Sequence, residues 1–353
     1  MVAILSEAKY ATSTGCKMRY SGLTDTLRKK RIPFCEIFDA CPPDADVVFV
    51  LSGSMEWTAG TIRQLNINGH IPIVICDQIH SLKGCIYSSV CSNINASMKN
   101  LLDTLRTQGK QRLALYAFNP NSVSDIGKAD ALKSWDEGDF RYMDLFPNDG
   151  NLQDCYASFI KEGRDYDAVI CANNYSAISL VKHLKSEDPK RLDSLTVICC
   201  NDSPVSEYYK NDILTMDINH ESYGRAAVYI YEALQKHRYL STLTTRITWD
   251  FGNTATEPSK AFSFDFNSNK DTFYEDETVK DMLVVDEYLS SADSTDRTII
   301  SELLEGLSTD LIADRCFLSE SAVKYRIKRL VQTTGAADKA HLLRVVAEYT
   351  NDN

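Results

Sequence analysis

The sequence predicts an α/β protein with two doubly wound parallel sheets, followed by a small all-α region of four helices. Over residues 1 to about 250, short apolar segments rich in Val and Ile alternate with amphipathic helices, as in parallel strands covered on both faces. A second series of strands begins at Leu113, which makes too many strands for one compact sheet. After residue 294 the apolar spacing is helical throughout.

Seven segments carry the strand pattern, and apolar residues line one face of the helices between them. The predicted strands are Val2–Leu5, Cys35–Phe38, Val47–Leu51, Ile71–Cys76, Leu113–Phe118, Ala168–Cys171 and Leu195–Cys200. The clearest helices are Ile94–Gln108, Ser176–Lys185 and Tyr223–Lys236. We predict a two-lobed domain over residues 1–258, with lobe 1 at about 1–110 plus 217–250 and lobe 2 at about 111–213.

A change of composition separates this domain from the C-terminal helices. Residues 259–276 mix Ser, Asn, Asp and Phe without a period, which is typical of a linker. A short amphipathic segment follows at Val279–Leu289. We therefore predict a linker with a connecting helix over residues 259–293 and a separate helical domain over 294–353.

Composition limits the possible functions. Of 353 residues, 44% are hydrophobic and 25% charged, and the net charge of −11 argues against a chain that coats nucleic acid along its length. The 11 cysteines form no C-x-x-C pair, and Cys199-Cys200 fits core thiols better than a redox switch. With no signal peptide pattern at the N-terminus and no apolar run of about 20 residues, we expect a cytoplasmic protein that does not span a membrane.

The C-terminal region places positive charge on one helix. Its predicted helices are Thr295–Glu305, Thr309–Arg315, Glu320 to about Thr333, and Lys339–Tyr349. Residues 319–330 contain four basic side chains and one acidic side chain, a net +3 in an acidic protein. This charge sorting suits a helix in the DNA major groove, although a solvated basic face has the same pattern.

The order of residues in this region resembles the LuxR/GerE-type helix-turn-helix. Gly306-x-Ser308, Ile312-Ala313, Leu318-Ser319 and Val323-Lys324 appear in the register of that family. The resemblance implies a DNA-binding domain in which Lys324 contacts DNA, with basic and polar neighbours on the same helix. The predicted DNA-binding residues are Ser319, Ser321, Lys324, Tyr325, Arg326, Lys328 and Arg329. Asp293-Ser294-Thr295-Asp296 departs from the family's Thr-Pro-Arg-Glu opening, and Ala322 replaces its usual Thr.

Polar residues follow the strands of the N-terminal region, where ligands bind in open α/β sheets. Ser6-Glu7, Ser52, Asp77, Asn119, Asn173 and Asn201 occupy such strand ends. Tyr10, Trp57 and Phe118 lie nearby in sequence. Hydrogen-bonding groups with aromatic rings suit a small polar ligand.

The same region resembles the effector domain of LacI/GalR regulators, which is itself similar to type I periplasmic binding proteins with two Rossmann-like lobes. Asp167–Asn174, Val197–Ser203 and Gln108–Ala114 carry this resemblance. It implies that Asn173 and Asn201 contact the effector. Lys128 stands where that family commonly has an Arg, and Asn93 stands where it has an acid at the hinge. The predicted effector-binding residues are Ser6, Glu7, Tyr10, Ser52, Trp57, Asp77, Asn93, Phe118, Asn119, Lys128, Asn173 and Asn201.

These features together predict a ligand-responsive, homodimeric transcription regulator that binds a double-stranded DNA operator. The effector is a sugar, a nucleoside or another small polar or aromatic metabolite. Its binding would shift the lobes and so change the separation of two recognition helices. The sequence lacks nucleotide-binding, metalloprotease and hydrolase motifs, so we expect no enzyme activity, cofactor or metal.

Three alternatives stay open at this point. The two-lobed module could act through protein partners rather than DNA, or the chain could be the output regulator of a phosphorelay. A phosphorelay receiver needs an acid pair after its first strand, where this chain has Ser6-Glu7. An enzyme on the same fold would need a clustered catalytic pair, and the sequence shows none.

Overall fold

The structure is a computed structural model of the chain. It describes residues 1–350 except 12, 38–44, 78, 80–81, 121, 136–137, 139, 201–203, 217, 238 and 250–272.

Strands and helices alternate over the first 250 residues, and helices alone follow residue 276. The chain begins with β1 (Val2–Ser6), α1 (Thr14–Lys29), β2 (Phe34–Glu36), β3 (Val47–Leu51), α2 (Met55–Ile67), β4 (Ile71–Ile75), β5 (Ser88–Ser92), α3 (Ile94–Thr107) and β6 (Arg112–Phe118). It continues with α4 (Val123–Trp135), β7 (Tyr142–Pro147), α5 (Leu152–Glu162), β8 (Ala168–Cys171), α6 (Asn174–Glu187), α7 (Pro189–Ser194), β9 (Thr196–Cys199), β10 (Ile213–Thr215), α8 (His220–Lys236) and β11 (Thr244–Ile247). The C-terminal helices are α9 (Glu277–Ser291), α10 (Ser294–Leu304), α11 (Thr309–Cys316), α12 (Glu320–Thr334) and α13 (Lys339–Thr350).

The strands form two sheets, which confirms the predicted fold class. Among the described residues the first sheet has the order β11-β5-β4-β3-β1-β2 and the second has the order β10-β9-β8-β6-β7. Pairing is parallel at the centre of each sheet, with Val2 opposite Val47 and Ala168 opposite Thr196. All residues of β3 and β8 are buried, because parallel strands carry helices on both faces.

Strand β5 has no apolar run, and the sequence did not predict it. Its residues, Ser-Ser-Val-Cys-Ser, are all buried between β4 and β11. The serine hydroxyls have partners: Ser88 Oγ accepts a hydrogen bond from the Leu243 N–H at 3.0 Å, and Ser92 Oγ lies 2.8 Å from the Tyr223 hydroxyl. These bonds offset the cost of burying polar side chains in a sheet.

Packing divides the chain into two compact units. The first contains Met1–Gln111, Phe118–Met143 and the described residues from Met216 to Trp249, so that α4 packs against α3. The second contains Arg112–Ala117, Asp144–Thr215 and the described residues from Phe273 onward. Helices α9–α13 thus belong to the same unit as most of the second sheet. The described part of the chain has no helix that is both long and apolar enough to cross a membrane.

Of the predicted linker and connecting helix, residues 259–272 lie outside the described part. Residues Phe273–Glu275 form a 3₁₀ helix, and α9 follows directly. Helix α9 buries Val279, Met282 and Val285, so its apolar face packs within the second unit.

Candidate functional site

A polar cluster lies in the first unit, next to the carboxyl ends of β4 and β5. Parallel strands bring their carboxyl ends to one edge of a sheet, and Asp77 and Ser92 occupy this edge. Residues from three helices and from the segment after β11 complete the polar cluster. Its members are Arg19, Asp77, Ser92, Lys128, His220, Tyr223 and Trp249.

Arg19 and Asp77 form an ion pair at the centre of the polar cluster. The Arg19 side chain is only 8% exposed, whereas that of Asp77 is 39% exposed. Ser92 Oγ donates to Asp77 Oδ1 at 3.2 Å, and the Arg19 guanidinium lies 4.6 Å from the centre of the Tyr223 ring. Loss of surrounding water alone would raise the pKa of Asp77, but the nearby Arg19 and Lys128 charges hold it below its usual value. Asp77 is therefore an ionised acceptor that solvent reaches.

The Tyr223 hydroxyl joins the two sides of the polar cluster. It lies 2.8 Å from Ser92 Oγ and accepts a hydrogen bond from Trp249 Nε1 at 3.1 Å. Lys128 Nζ lies 5.7 Å from the Trp249 ring centre and donates to Asp125 at 2.7 Å. The predicted effector residue Lys128 thus lies in the polar cluster, buried with its counter-charge.

His220 is a titratable member of the polar cluster that carries no charge. Burial, together with repulsion by Arg19, lowers its pKa to about 3. At neutral pH its imidazole is therefore a hydrogen-bonding group without charge.

Two glycines set the close contact of α1 and α8 that assembles the polar cluster. A Cβ on Gly224 would lie 2.2 Å from the Arg19 carbonyl oxygen, and a Cβ on Gly22 would lie 2.2 Å from that of Glu221. Because no side chain separates the two backbones, Arg19 of α1 meets Tyr223 of α8.

Some predicted effector residues hold the loop after β3 instead of facing open space. The buried Glu7 carboxylate accepts the Gly53 and Ser54 N–H groups at 3.0 Å each and the Ser54 hydroxyl at 2.5 Å. A Cβ on Gly53 would lie 2.5 Å from the Tyr10 ring, so that ring covers the loop. Ser6 ends β1 beside them, half-buried.

Buried polar atoms of the first unit that have no hydrogen-bond partner among the described residues include Arg19 Nε, Ser52 Oγ and Asn93 Oδ1. Ser52 follows β3 and Asn93 follows β5. The Asn93 N–H donates to the Ile247 carbonyl at 2.7 Å, which fixes its backbone. Buried polar groups without partners are costly, because nothing replaces the hydrogen bonds to water that they lose.

The remaining predicted effector residues have other neighbours. Trp57 packs against the apolar core of the first sheet, and Phe118 ends β6 half-buried. The N–H of the buried Asn119 donates to Asp125 Oδ2 at 3.0 Å. Asn173, in the second unit, is the N-cap of α6, where its side chain accepts the Ser176 N–H at 3.0 Å. Asn201 lies outside the described residues.

The sequence-based prediction missed Arg19, Ser92, His220, Tyr223 and Trp249. Arg19 had a detectable signal, because it shares a helical stripe with the buried Leu23 and Leu27 at a spacing of four. A cation on a buried stripe requires a partner. The others are separated from Arg19 and Asp77 by more than a hundred residues or belong to the unpredicted strand β5.

Helix α12 presents its cationic side to solvent. Ser319 is its N-cap and accepts the Ala322 N–H at 3.2 Å, while Val323, Ile327 and Leu330 face inward. The exposed residues include Ser321, Lys324, Tyr325 and Lys328. Lys324 pairs with Glu320 at 2.6 Å, but both side chains are about half exposed or more. A surface pair of this kind contributes about 0–1 kcal/mol, so a phosphate can replace Glu320.

Arg326 and Arg329 face the start of α10 instead. Arg326 Nη1 lies 2.9 Å from Asp293 Oδ2 and 2.8 Å from Asp296 Oδ1, and Arg329 also pairs with Asp296, whose side chain is fully buried. Asp293 and Asp296 form a capping box at the N-terminus of α10. The two arginines thus tie α12 to α10. Within the described chain, no group of three or more metal-ligating side chains comes together.

Comparison with known families supports the helix-turn-helix. A winged helix-turn-helix DNA-binding family model matches residues 293–333, which contain α10, α11 and nearly all of α12. An HTH-type transcriptional regulator of Lachnoclostridium phytofermentans is 26% identical over 141 residues, which are 38% of this chain and 41% of that protein. The match therefore spans less than half the length of the curated relative.

Several solved structures similar to this chain are transcriptional regulators. The transcriptional regulator CelR in complex with cellobiose has a TM-score of 0.57 at 14% identity and covers 70% of this chain and 82% of its own. A LacI family transcriptional regulator from Enterococcus faecium with bound ribose has a TM-score of 0.56 at 16% identity, with coverages of 71% and 97%. A Lac repressor bound to ONPG has a TM-score of 0.57 at 11% identity, with coverages of 71% and 80%. At these identities the likeness establishes the fold.

Proposed function

We propose that the protein is a transcription regulator that binds duplex DNA through α12 and a small neutral effector at the polar cluster. The observation that carries the proposal is the division of the basic residues of α12. Lys324 and Lys328 are exposed beside Ser321 and Tyr325, while the arginines of the same helix are engaged by α10. A helix held firmly from behind with a cationic outer side suits the major groove.

We further propose that the helix-turn-helix is of the LuxR/GerE type. The family match ends at residue 333, and in the described chain the next element is helix α13, with no strand between residues 273 and 350. A winged domain would have a β-hairpin after the recognition helix. A fourth helix at this place agrees with the LuxR/GerE residue pattern.

The charge balance of the polar cluster favours an uncharged effector. Arg19 is paired with Asp77, and Lys128 is paired with Asp125. A charged ligand would compete with one of these ion pairs, at the cost of leaving the buried Arg19 or Lys128 without its counter-ion. A neutral molecule with several hydroxyl groups needs only hydrogen bonds. Similar proteins in complex with cellobiose and ribose support a sugar.

The DNA-binding role is tested by replacing the two exposed lysines. We expect Lys324→Ala with Lys328→Ala to weaken binding to a duplex selected from a random library. The slope of log affinity against log salt concentration should also become shallower by about 0.9 for each phosphate that the removed lysines neutralise. Fluorescence anisotropy over a salt series measures both.

A matched control replaces Lys161 and Lys190, which are also exposed and change the net charge equally. This control should leave the salt slope unchanged. If both double variants behave alike, α12 is not the DNA-binding helix.

The effector role is tested by thermal shift with ribose, cellobiose, other neutral sugars and nucleosides. A ligand at about 100 times its Kd stabilises the folded protein by about 2.7 kcal/mol. We expect a stabilising compound whose effect disappears in Asp77→Asn and persists in Asp103→Asn, where the carboxylate pairs with Lys99 on the surface of α3. A stabilising compound that is insensitive to Asp77→Asn would place the effector elsewhere.

A further inference from the structure

Helix α9 is fastened at its N-terminal end to the helices of the second sheet. Asp276 is its N-cap and accepts the Thr278 N–H at 2.8 Å. The other carboxylate oxygen of Asp276 accepts the Leu152 N–H, at the first residue of α5, at 2.9 Å. One side chain therefore caps α9 and binds the start of α5.

A second carboxylate of α9 lies deeper in the same unit. Asp286 is 3% exposed. Its Oδ2 accepts the Tyr175 hydroxyl at 2.7 Å, and its Oδ1 accepts the Val205 N–H at 2.8 Å. A buried carboxylate is stable only where hydrogen bonds replace its hydration, so these two partners set its position.

The two partners of Asp286 come from the two segments that follow neighbouring strands. Tyr175 lies in the first turn of α6, directly after β8, and two residues beyond Asn173, which caps that helix. Val205 lies in the 3₁₀ helix Pro204–Tyr209, which follows β9. Asn173 and Asn201, the predicted effector residues of the second unit, precede these partners by two and four residues. Asp286 therefore contacts both segments that follow β8 and β9.

The opposite side of α9 holds the DNA-binding helices. Asp281 lies 2.8 Å from His341 Nε2 and 2.9 Å from Arg344 Nη2, both on α13. Arg297 of α10 donates to the Leu289 carbonyl at 3.0 Å, and α12 packs against α9. A displacement of α9 would therefore move α10, α12 and α13 with it.

We propose that Asp286 is a positioning residue that couples the segments after β8 and β9 to the DNA-binding helices. It acts through α9, whose packing within the second unit makes it a rigid connection. This proposal rests on the proposed DNA-binding function and adds a route by which DNA binding and the segments after β8 and β9 influence each other. Coupling between two sites is reciprocal, so DNA binding must also affect the two segments.

Hydrogen–deuterium exchange of the full chain tests the coupling with DNA as the probe. The duplex is the tightest one that the wild-type protein selects from a random library. In the wild type, saturation with this duplex should slow exchange at least about threefold in peptides covering 173–180 and 204–209. In Asp286→Asn the α12 peptides should still be protected, while the effect on the two segments disappears.

Tyr175→Phe removes a single hydroxyl and keeps the experiment decisive if Asp286→Asn does not fold. This variant should bind DNA with unchanged affinity, but DNA should slow hydrogen–deuterium exchange less in the peptide covering residues 173–180. Tyr156→Phe is the matched control, since its hydroxyl donates to Glu187 at 3.2 Å, away from α9. This control should behave as the wild type does.

The possible failures are distinguishable. Binding of the duplex without any change in the two segments, or the same change in all variants, would overturn the role of Asp286 and leave the DNA-binding proposal intact. Absence of wild-type binding at low salt would overturn the proposed function together with the coupling.

Discussion

The basic residues of α12 differ in whether the acidic residue that pairs with them is buried or exposed. Arg326 and Arg329 meet the buried Asp296, whereas Lys324 pairs with the exposed Glu320. Arginine suits the first role because its planar guanidinium bridges two carboxylates, as Arg326 does with Asp293 and Asp296. Lysine suits the second, since a compact mobile charge can follow a phosphate. The charge pattern and the LuxR/GerE resemblance predicted all four as DNA contacts, and the acids of α10 decide which remain available.

The lowered pKa of His220 predicts that the stability of the protein depends on pH. Its pKa in the folded protein is about 3, below the value of about 6.5 for an unfolded histidine. Between these values the unfolded state binds the extra proton, so stability falls as the pH decreases from about 6.5 towards 3. In His220→Gln this contribution is absent. Urea unfolding of both proteins from pH 7 to 4 should therefore give the steeper loss for the wild type.

Within this pH window, the free energy of unfolding of the wild type should fall more steeply than that of His220→Gln. The difference in slope should approach about 1.4 kcal/mol per pH unit. Carboxylates titrate in the same range, and those other than Asp77, which interacts with His220, contribute to both proteins alike. Parallel curves for the two proteins would show that His220 is protonated as readily when folded as when unfolded.

At the scale of elements, the contact between α1 and α8 determines the polar cluster. We expect Gly224→Ala to destabilise the protein by several kcal/mol, because the overpacked methyl costs about 1–3 kcal/mol and also separates Arg19 from Tyr223. The backbone atoms 2.2 Å from the added Cβ cannot move as a flexible side chain could. Chemical unfolding measures the stability, and thermal shift measures the accompanying decrease in effector binding.

Gly60→Ala provides the control for this prediction. Gly60 lies within α2, and a Cβ there meets no atom within 4 Å. Alanine favours a helix over glycine by up to about 1 kcal/mol, so this variant should be slightly more stable than the wild type. Equal effects of the two substitutions would mean that α1 and α8 do not approach as closely as the structure indicates.

At the scale of the whole molecule, packing of α9 within the second unit restricts the DNA-binding helices. We propose that the protein binds as a homodimer to two half-sites, since one small helical unit gives modest affinity. A helix on a free linker would tolerate any spacing of half-sites, but a helix fixed within a larger unit would not. Inserting 5 base pairs between half-sites, about half a DNA turn, should weaken binding at least about tenfold.

Inserting 10 base pairs restores the rotational phase and should recover part of the affinity. Anisotropy titrations with the three duplexes, together with sedimentation of the complexes, measure affinity and stoichiometry. A smooth decline with spacing, regardless of phase, would show that the DNA-binding helices move independently of the second sheet.

The sequence alone determined the fold class and most elements. Strands such as β3 and β8 are apolar at every position because both faces are covered, and that run is visible without a structure. Helix α12 runs from Glu320 to Thr334, close to the predicted Glu320 to about Thr333. Ser319 and Gly335 cap its two ends, and capping is a local interaction between neighbours in sequence. Asp77 and Lys128 were also predicted, since strand ends and family positions indicated them.

Tertiary structure decided what depends on partners distant in sequence. Strand β5 exists because other elements satisfy its serines, and Arg19, Asp77 and Tyr223 meet only because two glycines let α1 and α8 approach. Helix α9, which the sequence predicted as a connecting helix, is fixed within the second unit because Asp286 accepts hydrogen bonds from Tyr175 and Val205. Local patterns report burial and helix ends. The pairing of buried polar groups is a long-range property. Each group is stable when buried only if it has a hydrogen-bond or ion-pair partner, and that partner often lies far away in the sequence.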